Sequence, residues 1–349
     1  MKETESVEVN TMFDGHVHFR QDDLMSAVAS YTFEKCSGAI IMPNTKPIIS
    51  STELAREYKK EICLLSKKVT DFFFPFLTIY LTNNTDIEDL EMGYENDIFI
   101  AGKLYPAGAT TNAGNWVTNI ENIYPVFEKM QDIGMPLLMH CEKVDSTIDF
   151  FDRERVFIKE IMPSLVAEFP DLTVVVEHVS TKEGVEFVVQ NKNVWATVTP
   201  HHLMKNRNSM FRNGFNPLYF CYPLLNSEED RQSVIAAVTS DNMEIRKKFR
   251  AGSDSAPHYP ENKFKIDGDG GVFTAPVAPE MYTQVFAEKG ALGYLSDFFA
   301  INLMEDVYGI TPYREHHTIL VKEEKKVPKF CNGIHPFMAG EKLQWQIKS

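Results

Sequence analysis

Eight short runs rich in Val, Ile, Leu and Phe recur along the 349-residue chain with longer amphipathic stretches between them, and this alternation constrains the fold more than any other feature. The runs cover 11–19, 38–44, 72–82, 98–106, 135–141, 172–178, 194–200 and 248–254. Most are continuously apolar, the pattern of strands buried on both faces. The segments between them read as helices: STELAREYKKEICLLSKK opens on a Ser/Thr entry signal, and NIYPVFEKMQDIG closes on a glycine. Strands separated by helices predict a parallel sheet, and eight such units predict an α/β fold, a closed (β/α)8 TIM barrel. No linker, low-complexity stretch or internal repeat divides the chain. Residues 1–349 are therefore expected to form a single barrel domain with a C-terminal helical or extended segment.

Seven polar residues with metal-binding or catalytic chemistry fall toward the C-terminal ends of these runs. His16 and His18 share the first run, and Asn44, Lys103, His140, His178 and Asp254 each close a different one. In a (β/α)8 barrel those ends meet on one face, where the chemistry of the fold takes place. Side chains alternate along a strand, so His16 and His18 point the same way and are able to share one cation. A lone strand histidine is more often a hydrogen-bonded core residue, but four at strand ends favour a metal centre. Histidine and carboxylate donors without cysteine suit Zn2+ with open coordination positions, a catalytic pattern. Lys103 has two readings. Its ammonium either snorkels out of the barrel mouth, or its neutral amine takes up CO2 to give a carbamate able to bridge two cations.

With 35 basic and 49 acidic residues the chain carries a net charge of −14, and no Lys/Arg stripe suggests a nucleic-acid partner. An acidic protein that binds an anion must do so with local arginines or metal ions, which draws attention to Arg20, just after HVHF. The five cysteines are scattered and form no CxxC pair, as expected for reduced thiols in a cytoplasmic protein. No apolar signal core and no run of about 18 apolar residues occurs, so no membrane association is expected.

HVH, GKLYP, LLMH, VVVEH and GSDSAPH together resemble the amidohydrolase superfamily. DGHVHFR, MPNTKP, KLYPAGATTN, FDRE, TPHHLMKNRN, GSDSAPH and FMAGEKLQW resemble, more narrowly, the compact single-chain bacterial dihydroorotase family, from about residue 10 to the end. That resemblance implies reversible, zinc-dependent cyclisation of N-carbamoyl-L-aspartate to L-dihydroorotate in pyrimidine biosynthesis. It implies two Zn2+, one held by His16, His18 and Asp254 and the other by His140 and His178, with N6-carboxylated Lys103 bridging both. Asp254 would also be the general acid/base, relaying a proton from the activated water to the departing ring nitrogen. Arg20, Asn44 and His258 would bind the substrate carboxylate, and His140 would also reach the substrate. Main-chain contacts are implied near Tyr222 and Gly270, and the segment 107–115 becomes a lid whose Thr110 and Thr111 close over the ligand.

Two features depart from the family pattern. Tyr222 stands where relatives often have leucine, and DGDGG replaces a cysteine-containing loop. His201 and His202 are assigned supporting or structural roles, because the ligand set is complete without them. A homodimer is a further implication of the resemblance. The competing readings are another cyclic amidase, a hydantoinase or allantoinase, and a catalytically inactive barrel serving as an assembly partner; Arg20 and the threonine lid favour a carboxylate-bearing ring over the first.

Overall fold

The computed structural model describes residues 5–106, 117, 119–212, 214–301, 304–311 and 316–348. Thr110 and Thr111, and the rest of the expected lid, lie outside the described residues. Strand β1 (Ser6–Asn10) precedes eight strands that form one parallel sheet in sequence order: β2 (Met12–Val17), β3 (Cys36–Ile41), β4 (Phe74–Tyr80), β5 (Phe99–Leu104), β6 (Leu137–Met139), β7 (Val174–Val176), β8 (Val194–Val198) and β9 (Phe249–Ala251). Seven of the eight predicted runs contain one of these strands, and the run 38–44 overlaps β3, which begins two residues earlier. The strands are shorter than the runs.

The outer strands β2 and β9 are joined just beyond the end of β9. Asp254 N donates to His16 O at 2.8 Å, and His18 N donates to Ser255 O at 3.0 Å. The sheet therefore closes through the residues of the candidate site. Outside it, β1 pairs antiparallel with β10 (His317–Val321), which also pairs with β13 (Gln346–Ile347), while β11 (Lys325–Lys326) pairs with β12 (Lys342–Leu343).

Helices cover the outer face of the sheet, and sequence fixes where several begin. Ser51 accepts from Leu54 N at the start of Thr52–Ser66, and Asp86 accepts from Glu88 N and Asp89 N at the start of Ile87–Glu95. Two buried clusters show the strand period of two. Leu137, Met139, Val174 and Val176 join the large core beneath the helices, whereas Ala101, Leu138 and Val175 pack with Phe13 and Ile40 as a separate inner cluster. Lys103, His140 and Glu177 share the parity of that inner set, which brings them to the mouth of the barrel.

Candidate functional site

His16 lies inside β2 and His18 one residue past its end; Lys103 is the penultimate residue of β5, and His140 directly follows β6. His178 and Asp254 reach the same place differently. Val175 and Glu177 carry the inward parity of β7, so His178 would face outward on a continued strand, but its φ of 45° turns it back. Asp254 has φ 43° and Arg20 φ 62°. Left-handed backbone at non-glycine residues carries strain of order 1 kcal/mol or more, and such strain gathers at functional sites.

Three donor atoms converge at the centre of the mouth. His16 Nε2 and His18 Nε2 are 3.2 Å apart, and Asp254 Oδ1 lies 3.1 Å from the latter and 3.3 Å from the former. Ligand bonds of about 2.0–2.1 Å in a tetrahedral site put neighbouring donors about 3.3 Å apart, so this triangle has the dimensions of a Zn2+ face. Beside it, His140 Nδ1 and His178 Nε2 are 3.1 Å apart, and the His178 ring centroid is 5.2 Å from that of His16.

The remaining ring nitrogens explain why these particular atoms face inward. His18 Nδ1 is 2.7 Å from Asn44 Oδ1, His140 Nε2 is 2.6 Å from Glu142 Oε2, and His16 Nδ1 contacts the Glu177 carboxylate. An acceptor at one nitrogen keeps the proton there and leaves the other nitrogen's lone pair for a cation, the usual support of a metal-binding imidazole. Burial holds His16 and His178 well below the ordinary histidine range and lowers His18. Burial alone would raise Asp254, but His16 and His18 beside it keep its carboxylate below the usual value. Glu177 is pushed up to about 7, chiefly by burial.

Lys103 is fully buried, its Nζ has no hydrogen-bond partner among the described residues, and desolvation lowers its pKa. A lone ammonium in that position is costly, and among the two readings of Lys103 this excludes the one that snorkels into water. A carbamate on that nitrogen, held by two cations, would satisfy it. The donor set and the orphaned amine thus fit a two-metal centre.

The same cavity is walled on its far side by Arg20, Asn44, Tyr222 and Gly270. Arg20 is anchored through Nε to Pro257 O at 3.0 Å and lies 3.1 Å through Nη2 from His258 Nε2. His258 Nε2 is also 3.0 Å from Gly270 O, its Nδ1 is 3.2 Å from the Asp269 carboxylate, and burial pushes it down to about 2. The Tyr222 ring lies so close to Gly270 that a Cβ there would come within 2.3 Å of it.

His202 is used structurally: Nδ1 is 2.7 Å from Thr199 Oγ1, and Nε2 faces the carbonyls of Pro223 and Leu224 at 3.2 and 3.3 Å. It lies with His201 and Cys221 in a buried group, but both its ring nitrogens are committed to the fold. Sequence reading missed Glu142 and Glu177. The signal was present: Glu177 lies on an apolar run and Glu142 directly follows one, each two residues from an inward-facing position.

No protein-family model matches the chain. A dihydroorotase of Yersinia pseudotuberculosis serotype O:1b is 41% identical over 340 residues, covering 96% of each chain. The crystal structure of a dihydroorotase from Campylobacter jejuni superposes with a TM-score of 0.88 at 30% identity, over 100% of this chain and 99% of that one. A dihydroorotase of Saccharomyces cerevisiae in complex with 5-fluoroorotic acid gives 0.87 at 27% identity, over 98% of each. An L-hydantoinase of Arthrobacter aurescens, at 0.80 and 17% identity, covers 97% of this chain and 82% of its own, and shares the fold.

Proposed function

The chain belongs to the dihydroorotase family, metal-dependent cyclic amide hydrolases of pyrimidine biosynthesis, and from that premise we infer how its barrel mouth interconverts N-carbamoyl-L-aspartate and L-dihydroorotate. The observation that carries the reading is one cavity with a donor triangle on one wall and an arginine on the other. His16, His18 and Asp254 would hold one Zn2+, His140 and His178 the second, and Lys103 as N6-carbamate would bridge them. When bound, that centre supplies Lewis-acid polarisation and a water of lowered pKa.

The chain's own residues do the rest. Arg20 offers its guanidinium to the substrate carboxylate, a charge-assisted bond in a site partly closed to water. Asn44 spends its oxygen on His18, so the group it offers a ligand is its NH2. Neutral His258, with Nδ1 turned to Asp269, presents Nε2 beside Arg20 and the ligand. In hydrolysis Asp254 accepts a proton from the attacking water and delivers it to the ring nitrogen as the C–N bond breaks. In cyclisation it takes the proton from that nitrogen and delivers it to the departing hydroxyl, so water leaves. Tyr222 and Gly270 line the ring through their backbone, and the chain works as one barrel unit. A steady-state assay with dihydroorotate and carbamoyl aspartate, beside hydantoin and allantoin, tests this. Turnover of the first pair only is expected, and a preference for hydantoin or allantoin would overturn it.

A further inference from the structure

Two loops build the cavity wall opposite the histidines, one around residues 220–223 and one spanning 259–271, and a single side chain ties them together. Lys263, the last residue of the short helix Pro260–Lys263, is 6% exposed. Its Nζ donates to Phe220 O at 2.7 Å, Asp269 O at 3.0 Å and Gly271 O at 2.6 Å. An ammonium has three N–H bonds, and here each meets a carbonyl. Phe220 O also accepts from Gly271 N at 3.0 Å, so both loops are fastened at the same point. The backbone is drawn in tightly: Gly271 has φ +138°, and a Cβ there would lie 2.6 Å from Ala256 O.

The two held residues of the second loop flank Gly270. Holding Asp269 and Gly271 fixes the direction of the Gly270 carbonyl that faces His258 Nε2, and the place of the Asp269 carboxylate that faces His258 Nδ1. His258 in turn contacts Arg20. We propose that Lys263 is a positioning residue for substrate recognition: its three-carbonyl knot sets the loop backbone, and through Asp269 and Gly270 the orientation of His258 and Arg20 toward the substrate carboxylate. The inference rests on the reading of Arg20 and His258 given above. It involves none of the proposed metal ligands, so it predicts an effect on substrate binding and none on the metal centre.

Lys263→Met keeps the apolar stem and removes all three donors. It should raise KM for dihydroorotate about tenfold or more while kcat stays within about threefold and bound metal is unchanged. Lys263→Ala removes three carbons and the ammonium, room for ethylammonium, beside a small cavity lined by His258, Pro260, Phe264 and His335. Ethylammonium, with three N–H donors, should bring KM back toward the wild-type value, whereas tetramethylammonium, of equal charge and no donor, should not. KM within twofold of wild type in Lys263→Met, equal rescue by both cations, or loss of metal in step with activity would each overturn the proposal. Wild-type protein is assayed first, because absence of dihydroorotate turnover there would defeat the functional reading rather than the role of Lys263.

Discussion

At the scale of single residues, Arg20 is proposed to serve the substrate and the histidine–Asp254 triangle to hold metal, and substitution should separate the two roles. Arg20→Met removes one charge-assisted fork, worth about 1.5–3 kcal/mol, so KM for dihydroorotate should rise roughly ten- to a hundredfold with metal content intact. Loss of zinc from that variant would contradict the assignment. Asp254→Ala should lower kcat by more than about a hundredfold and still bind substrate, because the proton relay is gone while Arg20 remains; isothermal titration with dihydroorotate checks the second half. Legibility at this scale followed chemistry. His16, His18, Lys103, His140, His178 and Asp254, which the barrel brings to one mouth, stand out in the sequence as polar residues near the ends of apolar runs. Glu142 and Glu177 stood out less, because a carboxylate within two residues of a histidine looks like a surface residue until parity turns it inward.

At the scale of elements, β7 and β8 show how a strand end is aimed. Thr197 Oγ1 on β8 accepts from His178 N at 2.8 Å and donates to Glu177 Oε2 at 3.0 Å, so one hydroxyl fixes both the turned backbone of His178 and the carboxylate behind His16. Thr197→Val, nearly the same in shape, should leave the fold intact and weaken metal affinity about ten- to a hundredfold, measured by competition with a chelator. Unchanged affinity would mean that Glu177 and His178 hold their positions without it. The eight strands themselves were legible, since runs such as VVV and LLM bury both faces. Their ends were not. The left-handed φ that turns His178 and Asp254 just past the ends of β7 and β9 leaves no mark in a sequence pattern.

At the scale of the whole molecule, the barrel closes through its candidate site, and the buried titratable groups there and around it make stability depend on pH. Burial holds six histidines, 16, 18, 178, 201, 202 and 258, below the usual 6.5. It holds Asp14 up to about 6, and Glu154 and Glu177 up to about 7. Below pH 6.5 the unfolded chain takes up protons on all six histidines that the folded chain refuses. The three carboxylates act in the opposite sense, the folded chain keeping protons that the unfolded one has released. Six outweigh three, so stability should fall as the pH drops from 6.5 toward 4.5, with each net proton worth about 1.4 kcal/mol per pH unit. Urea midpoints at pH 7.5 and 5.5 check this, and equal midpoints would contradict it. The barrel was legible as a whole from its eight alternating units; the closing contacts of Asp254 with His16 and of His18 with Ser255 were not, since they join residues more than 230 positions apart. The central claim is that a carbamate on Lys103 unites these strand ends around two cations. It is tested most directly by measuring dihydroorotate turnover of Lys103→Ala with added Zn2+ and propionate, whose carboxylate is able to take the place of the missing bridge. Recovery of a measurable fraction of activity, with none in His140→Ala under the same conditions, is the predicted result, and no recovery in a folded Lys103→Ala protein would contradict it.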